Sequence, residues 1–415
     1  MVTESTIGFE AFLDKAVADP NKVDYCGIAV VSMALVVYNS GGVRIIPSFI
    51  LSLMIIALLI LKLTEKFRLT RRPVIIIMPF FLFLLGVNKV LSKSPGTKYY
   101  IIQVSFIVIG TLMLGIYGKK EKIAGSLYLA LQFFMWHALL SLVFGLMLSG
   151  YAHLHQIFGS TEKFIPPFFF YPEFDTVPGY MRVQGLFWEP GVLQYYMNLL
   201  FLLALHYRNK VVASFAFLTV LSTFSTTGYL ILAFSLAYLL GKKVFRMNFR
   251  KGIIAAVGGL LIGLPLMALV YFNVYEKIEG GGRRSTAVRF YDLITGLNIV
   301  AEHPLTGIGL DPETLISQHS QVGYEGVKLT EAELEEKGLS NGFLVGAATW
   351  GLPIFGLMLL FLYRQPLLPI EPVLFFGVTC LFLAGEPLFA SPFITLLIMA
   401  GADRFLSFRR ARDGA

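Results

Sequence analysis

Charge is scarce in this 415-residue chain: Asp, Glu, Lys and Arg make up 14% of it, against about 25% in soluble proteins. Cysteine is scarcer, with only Cys26 and Cys380, both at the edge of or inside apolar runs. Two thiols exclude a disulfide framework and cannot build a structural zinc site. No Asp-x-Asp metal-nucleotide motif occurs, and there is no Gly-Lys-Ser/Thr phosphate loop. Gly-x-Ser-x-Gly and His-Glu-x-x-His are missing too, so an ATP-driven pump, a nucleotide-sugar enzyme and a zinc protease all lose ground. No period of 20–50 residues repeats and no matching broken helices stand in two halves, which lowers the case for an inverted-repeat transporter. The first 24 residues carry Glu4, Glu10 and Asp14 and lack the basic start and apolar core of a cleavable signal peptide. Phe9, Leu13 and Val17 recur every four residues there, a pattern open to a short amphipathic surface helix or a frayed terminus.

What the chain has in abundance is apolar length. Residues are 56% hydrophobic and mean hydropathy is +0.71. About 20 apolar residues suffice to cross a bilayer as a helix. Runs of that kind fall near 24–38, 44–61, 73–92, 99–118, 123–149, 191–206, 210–223, 226–241, 252–274, 340–363, 367–384 and 387–406. The expected fold is therefore all-α, a polytopic membrane protein of about 12 transmembrane helices forming one integral membrane domain over 1–415. The short seventh and eighth runs are expected as a tight or re-entrant pair.

Basic residues set the orientation. Lys62–Arg72, Lys119–Lys122, Arg208–Lys210, Lys242–Lys251 and Arg404–Arg412 are short basic loops, and such loops stay in the cytoplasm. With Lys15, Lys22 and Arg364 that side holds 22 of the 34 Lys and Arg. Both termini are then cytoplasmic. Two long loops, Gly150–Pro190 and Tyr275–Leu339, face outward, and the net charge of +8 orients the protein rather than indicating nucleic acid. Yet these two loops hold four of the chain's arginines on the face where cations are disfavoured.

The first loop contains a Pro/Phe-rich stretch, Phe164–Asp175, suited to the headgroup region or to a structural plug. It ends in Arg182-Val-Gln-Gly185-Leu-Phe187-Trp-Glu189-Pro190. Pro190 fits a first helical turn, which places Glu189 at an N-cap, where the helix dipole favours negative charge. Glu189 reads as a cap or as a carboxylate fixed near Arg182. The second loop carries Gly280-Gly-Gly-Arg283-Arg284 and then Arg289 and Asp292. Arg289 starts a helix-like stretch and is spaced to pair with Asp292. Three arginines within seven residues attract anionic headgroups or, more sharply, hold a diphosphate, whose oxygens match guanidinium forks. His303, extended before Pro304, and His319 are candidate bases. Gly307 and Gly309 read as a turn, and acidic Asp311–Gly338 as a solvated covering helix. Ser225, within Ser222–Gly228, and Asn341, which opens the tenth run, are candidate polar contacts or local backbone partners.

The run Arg182-x-x-Gly185-x-Phe187-x-Glu189-Pro190, the Ser/Thr-Gly segment 222–228, Arg289 followed by His303-Pro304-Leu-x-Gly307-x-Gly309, and Ser340-Asn341-Gly-Phe-Leu344 resemble the O-antigen polymerase and ligase superfamily across roughly 182–363. The resemblance implies a GT-C-like membrane glycosyltransferase of the bacterial inner membrane, active on its periplasmic face, with undecaprenyl-diphosphate-linked oligosaccharides as substrates and no cofactor. It implies O-antigen or exopolysaccharide as product, and a chain-length regulator and a flippase as partners beside membrane lipids; no nucleic-acid or metal partner is expected. Ligases of that family carry His-Asn where this chain has Ser340-Asn341, so a Wzy-type polymerase is favoured over a ligase. Arg182, Arg284 and Arg289, with Arg283, then hold the diphosphate, and Glu189, with His303 second, is the base. The rival from another class is a transporter or flippase of a lipid-linked glycan. A transporter places ionisable residues at mid-membrane, whereas here they cluster in the outer loops. His137 and Glu386 are the exceptions, expected as a packed helix residue and at the outer edge of the last run.

Overall fold

A computed structural model describes residues 24–36, 48–66, 69–117, 120–148, 155–156, 163–164, 172–174, 181–187, 189–279, 283–311, 314 and 340–413. The apolar runs become helices: α1 (Tyr25–Val36), α2 (Ser48–Lys66), α3 (Pro73–Ser92, opening with a π turn at Pro73–Ile77), α4 (Lys98–Tyr117) and α5 (Lys120–Leu148). After the first long loop come α6 (Pro190–His206), α7 (Lys210–Ser222), α8 (Thr226–Val244), α9 (Phe249–Glu279) and α10 (Arg283–Glu302). The chain closes with α11 (Gly342–Trp350), α12 (Leu352–Tyr363), α13 (Pro372–Gly385) and α14 (Pro392–Asp413). Among the described residues, four helices are long and apolar enough to cross a membrane: Pro73–Ser92, Lys98–Tyr117, Glu121–Phe144 and Val257–Tyr275.

Three expectations change. The run 340–363 is two helices, because Gly351 takes φ 73°, a left-handed conformation open to glycine, and Pro353 cannot donate to a continuing helix. The helix bearing Arg289 begins earlier, at Arg283, and runs 20 residues. Inside the first long loop, Pro172–Phe174 pairs antiparallel with Met181–Val183, setting Glu173 opposite Arg182. The amphipathic segment at Phe9–Val17, most of the Pro/Phe-rich stretch, Gly280–Gly282, His319 and most of Asp311–Gly338 lie outside the described residues.

Helix α6 is the axis of the bundle. Every residue from Pro190 to Ala204 is buried, as expected of a helix apolar around most of its circumference. Tyr195 stacks on Phe382 of α13 at 3.8 Å between ring centroids, and Phe187 stacks on Tyr196. Two amides relieve the buried polarity. Gln194 donates to the Gly191 carbonyl, and Asn198 donates to Gln194 and to the Gly228 carbonyl, tying α6 to the first turn of α8. Helix α9, by contrast, leaves Leu261, Leu264 and Tyr271 exposed, a surface suited to lipid rather than water.

Ion pairs sort by end of the bundle. Lys62 meets Asp24 at 2.7 Å, Arg72 meets Asp403 at 2.9 Å, and Lys242 meets Glu371. Each of these joins groups that the charge alternation assigns to one membrane side. The pair of Arg289 with Glu189 joins groups it assigns to the other.

Candidate active site

The site forms where helices begin. Glu189 is the N-cap residue of α6, extended at φ −148°, ψ 142°, with Pro190 inside the first turn. Its carboxylate makes no capping hydrogen bond among the described residues; instead Oε1 lies 4.0 Å from Nη2 of Arg289. Glu189 is 29% exposed and Arg289 42%, so both are open to a ligand. One contact thus joins the two long loops. Asp292, expected to pair with Arg289, is buried and accepts the Ser340 N–H at 3.0 Å, fastening α10 to the start of α11. Gly296 supports that seam, since its bare Cα sits against Leu344 of α11.

Arg182 arrives from strand Met181–Val183. Its Nε donates to the Thr223 carbonyl at 3.4 Å, in the turn between α7 and α8 where Phe224 holds φ 47°. The arginine of the first loop and the Ser/Thr-Gly segment are therefore neighbours. Arg283 and Arg284 form the first turn of α10, with no acidic residue in that turn.

The two polar candidates prove to be caps. Ser225 accepts the Gly228 N–H at 3.3 Å to start α8. Asn341 Oδ1 accepts the N–H groups of Phe343 and Leu344 to start α11. Capping engages the Asn341 oxygen and leaves its amide NH2, a donor only, for a ligand.

His303 stands apart. Its N–H donates to the Ile299 carbonyl, closing the last turn of α10 rather than lying extended. It follows Arg289 by 14 residues along one helix, roughly 20 Å of rise. The segment after it is anchored elsewhere: Asn88 donates to the Thr306 and Thr349 carbonyls, the Leu310 N–H reaches Tyr100 Oη, and Asp311 accepts from Gly96. Gly307 and Gly309, at φ 63° and 86°, make the tight turn that this docking requires.

One residue of the site was not singled out as functional by its sequence. Glu386, the C-cap residue of α13, is 3% exposed. A Cβ on Gly191, in the first turn of α6, would collide with Glu386 Oε1 and lie 3.8 Å from Glu189 Cδ. Glu189 and Glu386 thus flank one residue. A Cβ on Gly342 would strike the Glu386 carbonyl, and one on Gly385 would meet Thr227 Oγ1 at 3.1 Å. The first turns of α6, α8 and α11 all converge on Gly385-Glu386. The available signal was the repeated dipeptide: Gly385-Glu386-Pro387 echoes Trp188-Glu189-Pro190.

Residues 211–361 match a family model described as O-antigen ligase (Wzy_C). The matched segment takes in the Thr223 turn, Arg283, Arg284, Arg289, His303 and Asn341 and stops short of Arg182, Glu189 and Glu386. No curated protein and no solved structure matches the chain.

Proposed function

We propose that this member of the O-antigen polymerase and ligase superfamily is a membrane glycosyltransferase that polymerises oligosaccharide repeat units carried on undecaprenyl diphosphate, working on the outer face of the bacterial inner membrane. The observation that carries the reading is the 4.0 Å approach of Arg289 to Glu189, which brings a phosphate-matching cation and an accessible carboxylate together from two distant loops. In the reaction, a hydroxyl of one lipid-linked glycan attacks the anomeric carbon of another. Glu189 takes the hydroxyl proton, the new glycosidic bond forms, and the anomeric carbon–oxygen bond breaks with its electron pair passing to the lipid diphosphate. Charge grows on that leaving group, so fixed guanidinium groups stabilise the transition state more than the bound donor. Arg182, Arg283, Arg284 and Arg289 are the cations assigned to it, in place of a divalent ion. Donor binding draws Arg289 towards the diphosphate and leaves Glu189 facing the acceptor. His303, at the far end of α10, falls out of the acid–base role. Asn341 is retained as a contact through its amide NH2 while its oxygen caps α11.

The test is incubation of purified protein with a defined lipid-linked repeat unit in EDTA. A product ladder is expected. Products only after addition of a divalent ion would sink the metal-free arrangement. Ligation is the second reading, favoured by the description of the matching family, whereas Ser340 in the place of a ligase histidine favours polymerisation. A single transfer that requires a separate lipid or protein acceptor would decide for ligation. Accumulation of substrate across vesicles without any new glycosidic bond would indicate the flippase class instead.

A further inference from the structure

The unexplained feature of the site is that Glu189 sits at an N-cap and does not cap. A carboxylate at that position ordinarily turns back onto the free N–H groups of the first turn, and the dipole there favours it. In this structure the space over that turn is taken. Glu386, arriving from the end of α13, sets its Oε1 against Gly191, the second residue of α6, so closely that only glycine fits beneath it. Pro190 has no N–H to offer, and the Val192 N–H already donates to the Glu189 carbonyl. A Cβ on Gly191 would lie 3.0 Å from the Glu386 carboxyl carbon and 3.8 Å from that of Glu189, so the two carboxyl groups are neighbours across this one residue.

We propose that Glu386 is a positioning residue: it occupies the capping place of α6 in trans and so keeps the Glu189 carboxylate turned outward, towards Arg289 and the acceptor. It rests on the reading of Glu189 as the proton acceptor. The burial of Glu386, and the three first turns that meet on Gly385-Glu386, make it a rigid wedge rather than a second ligand group. Without the wedge, Glu189 falls back onto its own helix and leaves the site.

A double-mutant cycle tests this by stability as well as by rate. With Glu386 present, Glu189→Ala removes no cap, so its Tm is expected to fall by less than about 0.5 °C. In the Glu386→Ala background Glu189 has become the cap, and its removal is expected to lower Tm by about 1–2 °C. For transfer of lipid-linked units, Glu386→Ala is expected to lower kcat about tenfold to a hundredfold with KM little changed, and to add nothing in the Glu189→Ala background. Should Glu386→Ala fail to fold, Gly191→Ala runs the same cycle, because its Cβ evicts the Glu386 carboxylate. Equal Tm shifts in both backgrounds, or rate effects that multiply, would overturn the proposal. If wild type transfers no glycan at all, the reaction assigned above fails, while the Tm coupling still decides the role of Glu386.

Discussion

Arg289 allows stability and catalysis to be separated. Its guanidinium is 42% exposed and 4.0 Å from a carboxylate that is itself 29% exposed. At that separation and in that much solvent, an ion pair contributes about 0–1 kcal/mol. Arg289→Ala is therefore expected to leave Tm within about 2 °C of wild type. In the proposed reaction the transition state is another matter, because charge develops there on the diphosphate leaving group. Loss of one preorganised donor there costs about 3–4 kcal/mol, or 10²–10³ in kcat. Arg289→Lys keeps the charge but loses the fork and is expected between these limits. The assay is the initial rate of chain extension by detergent-purified protein on a defined lipid-linked unit, with Tm read on the same preparation. Turnover by Arg289→Ala within about threefold of wild type, in folded protein, would refute the diphosphate assignment; so would a loss that merely follows a fall in Tm.

Three further outcomes follow from the same geometry. Asn341→Asp keeps the oxygen that caps α11 but loses the amide donor, so it is expected to fold normally and raise KM, whereas Asn341→Ala is expected to lower stability by about 1 kcal/mol as well; identical kinetics for wild type and Asn341→Asp would limit Asn341 to capping. Asn88→Ala strips a buried side chain that donates to the Thr306 and Thr349 carbonyls and accepts from Tyr100 Oη, and a cost of about 2–4 kcal/mol is expected in thermal unfolding. At the other end of the bundle, the hydrogen bond from Lys242, then one from Tyr238, holds the Glu371 carboxyl below the usual carboxylate range. A depressed carboxylate pKa contributes stability above its unfolded value and loses it as pH falls through the folded one, so Glu371→Gln should flatten the acid limb of a Tm–pH curve while changing neutral-pH stability by no more than about 1 kcal/mol.

Hydropathy located every helix but α10, since each apolar run of the sequence contains at least one; of the two runs expected to be short, α7 is 13 residues, whereas α8 extends to 19 because it continues past its apolar run through Lys242 and Lys243. It did not locate the break at Gly351. Residues on both sides are continuously apolar, so no change of period marks the stop, although Gly351-Leu-Pro353 holds the two residues that cause it. Helix α10 was underestimated for the opposite reason: its mixed polarity offers no apolar run. Of the site, the arginines were legible because cations are out of place in those loops. Their partners were not. Arg289 could be matched to Asp292 by spacing, yet the carboxylate at its tip is Glu189, a hundred residues away, and such a pairing exists only once α6 and α10 are packed.

The three Glu-Pro dipeptides show what surroundings add to an identical local signal. Each proline closes off one direction of helix propagation, so each glutamate stands at a helix end. Glu371 precedes α13 without capping it and turns to Lys242 on an exposed rim, where charge is cheaply hydrated and the pair matters little. Glu189 precedes α6 without capping it and faces Arg289. Glu386 follows α13 and is driven under the first turn of α6, where only the missing side chain of Gly191 makes room. Burying a carboxylate is expensive unless charge or hydrogen bonds meet it, and the converging first turns of α6, α8 and α11 supply favourable dipole ends at that spot. The fold thus accepts a buried carboxyl group at Glu386, and in the proposed arrangement Glu189, kept off its own helix, is the carboxylate that takes the proton.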